Sequence, residues 1–100
     1  MDFETILFEN IGRDMYVKSV TINQEINENI FSQYSVTDNK NDNSWIIHSD
    51  THEQVIELNR GAEIIKCDVG RKIPLITIHA QYRDILYYMY ITDYISTEFN

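Results

Sequence analysis

Proline and cysteine are almost missing from this chain of 100 residues, which has one of each, and glycine is scarce at three. With Cys67 alone, no internal disulfide can form, and a lone thiol is the usage of a reducing compartment. No Pro-rich linker, internal repeat or low-complexity segment divides the chain, which reads as a single domain over residues 1–100. The three glycines, Gly12, Gly61 and Gly70, are isolated, so no glycine-rich phosphate loop is present. Long apolar runs are also lacking. The longest, near Ile85 to Ile91, falls short of the ~20 residues a membrane-spanning helix needs. The opening MDFETILFEN has acids where a secretory signal has bases, which points to a cytoplasmic protein. Bases are the final shortage. Eight face sixteen acids, for a formal net charge of −8. A field of that sign repels nucleic acid and anionic membranes and draws basic protein surfaces.

What is present suggests an α+β domain. Asp2 suits the N-cap of a helix running to about Ile11, with Phe3, Leu7 and Ile11 on one side and Gly12 at its end. Met15 to Ile22 alternates and is β-branched, as a strand requires. Asn23 to Asn29 fits either a polar loop or a helical turn. Phe31 to Thr37 and Ser44 to His48 read as strands joined by the turn-forming Asp38 to Asn43. Asp50 as N-cap and Glu53 three residues on resemble a capping box, predicting a helix that ends before Gly61. Ala62 to Cys67 and Ile73 to Ala80 read as two more strands, with Pro74 at an edge. The segment from Tyr82 to Ile95 has helical spacing in Asp84, Tyr88 and Thr92, against a strand-like content of Tyr and Ile. The helix is favoured. The expected architecture is an antiparallel sheet with two or three helices packed on it.

Few residues suggest catalysis. His48, Asp50 and His52 alternate, and in a strand they would face one way as zinc ligands do. The capping signals at Asp50 separate them instead, so no metal is expected. Cys67 with His79 or His48 is a formal nucleophile–base pair, but nothing beside Cys67 favours the thiolate. The chain is expected to be neither an enzyme nor a cofactor carrier.

Two features do suggest binding. On a helix, Asp50, Glu53 and Glu57 share a face, and Glu25, Glu28, Asp38 and Asp42 can extend it into a ridge of carboxylates. An ordinary solvated helix face gives the same pattern. Seven tyrosines occur, five of them from Tyr82 onward. On a helical tail Tyr87, Tyr90 and Tyr94 line one face, in the manner of interface anchors. A broad core helix or a homodimer contact would use the same residues.

In charge and element order, the short N-terminal helix, the strands around Tyr16–Ile22 and Phe31–His48 with their Asn/Asp-rich turn, and the acidic helix expected from Asp50 resemble the small acidic anti-CRISPR proteins of phages. The resemblance implies an inhibitor that occupies the nucleic-acid groove of a host defence nuclease by imitating phosphate charge. Its partner would be a basic, nucleic-acid-handling enzyme of a bacterial or archaeal host. The alternative is an immunity protein or antitoxin that caps a basic toxin.

Overall fold

A computed structural model describes residues 2–51, 53–70 and 75–93. In it one short helix, α1 (Phe3–Glu9), precedes eight strands. They are β1 (Asp14–Thr21), β2 (Ile26–Phe31), β3 (Ser35–Asn39), β4 (Ser44–His48), β5 (Val55–Asn59), β6 (Glu63–Val69), β7 (Ile76–Tyr82) and β8 (Ile85–Thr92). Five of them form an antiparallel sheet in the order β2-β1-β8-β7-β6, and three form a second sheet, β3-β4-β5. The expected α+β arrangement with two or three packed helices is therefore wrong. Among the described residues the domain is two antiparallel sheets and α1.

Pleating explains the core. In β8, Tyr87, Met89 and Ile91 are buried while their neighbours are half-buried, and in β7 Ile76, Ile78 and Ala80 alternate in the same way. Register aligns them: Met15 lies opposite Ile91, which lies opposite Ile76, and Val17–Met89–Ile78 forms the next row. Trp45 and Ile47 of β4 and Leu58 of β5 join the same cluster from the second sheet. Helix α1 adds Phe3, Ile6 and Leu7, three residues on one helical face. Its N-cap is as expected, with the Asp2 carboxylate accepting from the Thr5 N–H at 2.8 Å, which holds that carboxyl below its usual pKa. Gly12, at a φ of +100°, then turns the chain into β1.

Four local expectations fail for physical reasons. Asn23 to Asn29 is neither loop nor helical turn throughout, because Ile26 onward pairs with β1 as β2. Phe31 to Thr37 is two strands, because Gln33 takes a positive φ of 52° and Tyr34 is fully buried between them. Backbone bonds from Tyr34 N to Arg13 O and from Gly12 N to Tyr34 O fix that corner at 2.9 Å each. The helix from Asp50 does not form. The Thr51 hydroxyl accepts from the Glu53 N–H at 3.5 Å and meets the Ser49 hydroxyl at 3.3 Å, and Val55–Asn59 pairs with β4. Strand alternation buries Leu58 and partly buries Ile56, whereas a helix would have buried Val55, which is 56% exposed. The segment from Tyr82 is likewise β7 ending and β8 beginning, joined by the two-residue turn Arg83-Asp84. Its β-branched and aromatic content outweighs the helical spacing once β1 and β7 supply hydrogen-bond partners on both sides. Of the strand expected from Ile73, the first two residues lie outside the described residues.

Candidate binding surface

The side of the five-stranded sheet turned away from the core carries the most unusual chemistry. Residues that stand opposite one another in an antiparallel ladder share a face. One row across it reads Ile30, Tyr16, Tyr90, Thr77 and Asp68. The next reads Glu28, Lys18, Tyr88, His79 and Lys66, and Val20 with Leu86 continues toward Ile26. Three tyrosines thus sit in adjoining positions of two adjacent strands. The rings of Tyr16 and Tyr90 are 5.9 Å apart, and His79 meets Tyr88 edge-on at 4.8 Å. The Tyr16 hydroxyl donates to the Glu28 carboxylate at 2.6 Å, and that bond, with some burial, pushes the phenol up to about 12. Ile30, 47% exposed, stands opposite Tyr16, and Ile26, 54% exposed, stands opposite Val20 on the same face. Rigid rings with wet polar tips, flanked by exposed isoleucines, make a surface suited to protein contact.

The residues singled out in sequence fall in several places. Glu28 and Tyr90 belong to this face, and Glu25 lies in the β1–β2 turn beside it. Tyr87 points the other way and is buried, because neighbouring strand residues alternate faces, so Tyr87 and Tyr90 do not share the surface expected of them. Tyr94 lies outside the described residues. Asp38, Asp42, Asp50, Glu53 and Glu57 belong to the three-stranded sheet and its loops. They line no helix face, since no helix is there. Asp38 is paired with Arg60, whose guanidinium also stands 4.8 Å over the Trp45 ring and reaches Glu4 at 3.9 Å. Asp42 accepts from the Asn39 amide at 3.0 Å, and Glu57 from the Ser44 hydroxyl at 2.7 Å. The expected single ridge of carboxylates is thus split between two sheets and partly neutralised.

A cleft of about 290 Å³ does bring Glu57 and Tyr87 together, between β5 and the β7–β8 hairpin, with Asn59, Tyr82, Arg83 and Ile85. Of the histidine motif, His48 and Asp50 are described and stand in different surroundings. His48 is buried, 3.0 Å from the Thr37 hydroxyl and 2.9 Å from the Ser49 carbonyl, Asp50 is exposed in the following loop, and His52 lies outside the described residues. Among the described residues no three His, Cys, Asp or Glu side chains are grouped to hold a metal ion. Cys67 and His79 lie on opposite faces of their sheet, Cys67 opposite Ile78 and His79 opposite Lys66. Burial and then Asp68 push the Cys67 thiol up, which disfavours the thiolate.

The tyrosine face was missed in the sequence because Tyr16 and Tyr88 are far apart in the chain. The signal that finds it is the period of two in Tyr16, Lys18, Val20 and in Leu86, Tyr88, Tyr90, read on two strands at once. No described helix is long and apolar enough to cross a membrane. Compared with known proteins, the chain matches no family model, no curated protein and no solved structure.

Proposed function

We propose that this chain is a binding protein that docks on a basic surface of another protein and blocks it, catalysing nothing itself. The observation that carries the reading is the registered patch of Tyr16, Tyr88 and Tyr90 on the open side of the five-stranded sheet. Aromatic anchors of this kind supply buried area at low entropic cost. The formal charge of −8 supplies the sign of the partner, since it accelerates encounter with positive surfaces and suppresses it with negative ones. Extended basic protein surfaces commonly serve nucleic acid. A nucleic-acid-handling enzyme, such as a defence nuclease, is therefore the partner class, and occlusion is the mode of inhibition. Close imitation of phosphate spacing is not part of the proposal, because the acidic helix that would have provided it is absent.

Affinity capture from a bacterial lysate at low and high salt tests the reading. The expected result is recovery of a nucleic-acid-binding protein at low salt, its loss at high salt, and its loss at both in the double variant Tyr88→Ala/Tyr90→Ala. Retention that ignores salt, or that survives the double substitution, counts against it.

A further inference from the structure

The two edges of the five-stranded sheet are built differently. β6 carries a register shift between Ile64 and Lys66, and an ion pair from Lys66 to Asp68 at 3.4 Å. A bulge and a charged lysine are devices that blunt a sheet edge against further pairing. β2 has neither. Six successive residues, Ile26 to Phe31, pair with β1 without a shift, and no described strand lies on the other side.

The direction of its backbone groups follows from the hairpin. Thr21 N donates to Glu25 O at 3.0 Å, so Thr21 and Glu25 are a hydrogen-bonded pair. Such pairs alternate along an antiparallel ladder. Asn27, Asn29 and Phe31 therefore turn their N–H and C=O groups to β1, while Ile26, Glu28 and Ile30 turn theirs outward. The side chains of those same three residues border the tyrosine face. At the centre, Glu28 is exposed, stands opposite Lys18 and accepts from the Tyr16 hydroxyl through one oxygen.

We infer that the outer edge of β2 takes up an extended segment of the partner as a sixth strand, with a Lys or Arg of that segment beside Glu28 and apolar residues beside Ile26 and Ile30. The inference rests on the reading of a basic partner and adds how it is held: backbone bonds give affinity, and alternate side chains give specificity. Charge selects this occupant over a second copy of the chain. Antiparallel pairing of β2 with itself about Glu28 sets two carboxylates face to face, between two molecules that each carry −8.

The probe is a synthetic peptide, acetyl-Thr-Val-Thr-Arg-Thr-Val-Thr-amide, compared with its counterpart bearing Glu in place of Arg. Titration followed by amide NMR is expected to move the Ile26, Glu28 and Ile30 signals with the Arg peptide and to slow their hydrogen exchange. The Glu peptide is expected to bind roughly tenfold more weakly, and Glu28→Lys to reverse that order. Shifts confined to β6, no shifts at all, or equal response to both peptides overturn the inference. Lysate capture separates this failure from a broader one. If wild-type protein retains a partner only at low salt while β2 ignores the peptides, the edge inference falls and the basic-partner reading stands. If no partner is retained at low salt, both fall.

Discussion

Trp45 is buried to 6% exposure, yet its indole N–H has no hydrogen-bond partner among the described residues. The ring itself is well used, edge-on to Phe3 at 5.5 Å and beneath Arg60. An unpaired buried donor costs on the order of 1–3 kcal/mol, about what the extra ring area and the stronger cation–π contact return. Trp45→Phe is accordingly expected to change the unfolding free energy by less than about 1 kcal/mol, and Trp45→Ala to lower it by about 3–5 kcal/mol. Urea melts check both. Gln24 makes a second residue-scale case. It lies in the turn between β1 and β2 with a φ of 66°, and its N–H bonds to Thr21 O at 2.9 Å. That is the left-handed position such turns give to glycine. Gln24→Gly is expected to stabilise the domain by up to about 1 kcal/mol, whereas Asn43→Gly, at a φ of 53°, gains only a few tenths because Asn tolerates the conformation. Thermal denaturation of the two variants side by side measures the difference.

Between elements, the contact most open to a chemical test is that of α1 with the β2–β3 corner. The Tyr34 hydroxyl, fully buried, donates to Leu7 O at 2.6 Å. Burial pushes its ionisation well above the ordinary phenol range, as the bond to Glu28 pushes that of Tyr16 to about 12. Both folded values lie above the unfolded value near 10, so the fold favours the protonated forms. Their contribution is complete below about pH 10 and is lost as pH climbs past it toward 12. Tyr34→Phe should cost about 1–2 kcal/mol at neutral pH and make the alkaline loss shallower, as read from denaturant midpoints taken across pH 8 to 12. How far the elements were legible in sequence depends on whether local signals had competition. Asp2, Gly12 and the Met15–Ile22 alternation settle α1 and β1 by themselves. Asp50 with Glu53 and the spacing Asp84–Tyr88–Thr92 are real helix signals, but they are worth a few tenths of a kcal/mol to about one, less than a strand gains by filling a vacant place in a sheet. The tyrosine surface was half legible: its residue type stood out in composition, while the partner strand was set by a distant segment.

For the whole molecule, charge and surface chemistry are divided between the two sheets. Glu57, Asp42 and the loop bearing Asp50 and Glu53 go with the three-stranded sheet, whereas Lys18, Lys66, Glu28 and Asp68 nearly balance on the tyrosine face of the other. Substituting Asp50 and Glu53 with Asn and Gln should then slow association with a basic partner and weaken its salt dependence, leaving dissociation nearly unchanged. Tyr90→Ala should act mainly on dissociation. Surface-based kinetics at two ionic strengths distinguish the two effects. The place of β8 has a consequence of another kind. It lies between β1 and β7, and its first residue pairs with Thr21, more than sixty positions earlier. During synthesis the free edge of β1 leaves the ribosome without its β8 neighbour until residues 85–92 have followed, although α1, β4 and β5, which share its core, are made earlier. Such long-range pairing makes for slow folding, in milliseconds to seconds rather than microseconds, and for a nascent chain that depends on chaperones late in translation.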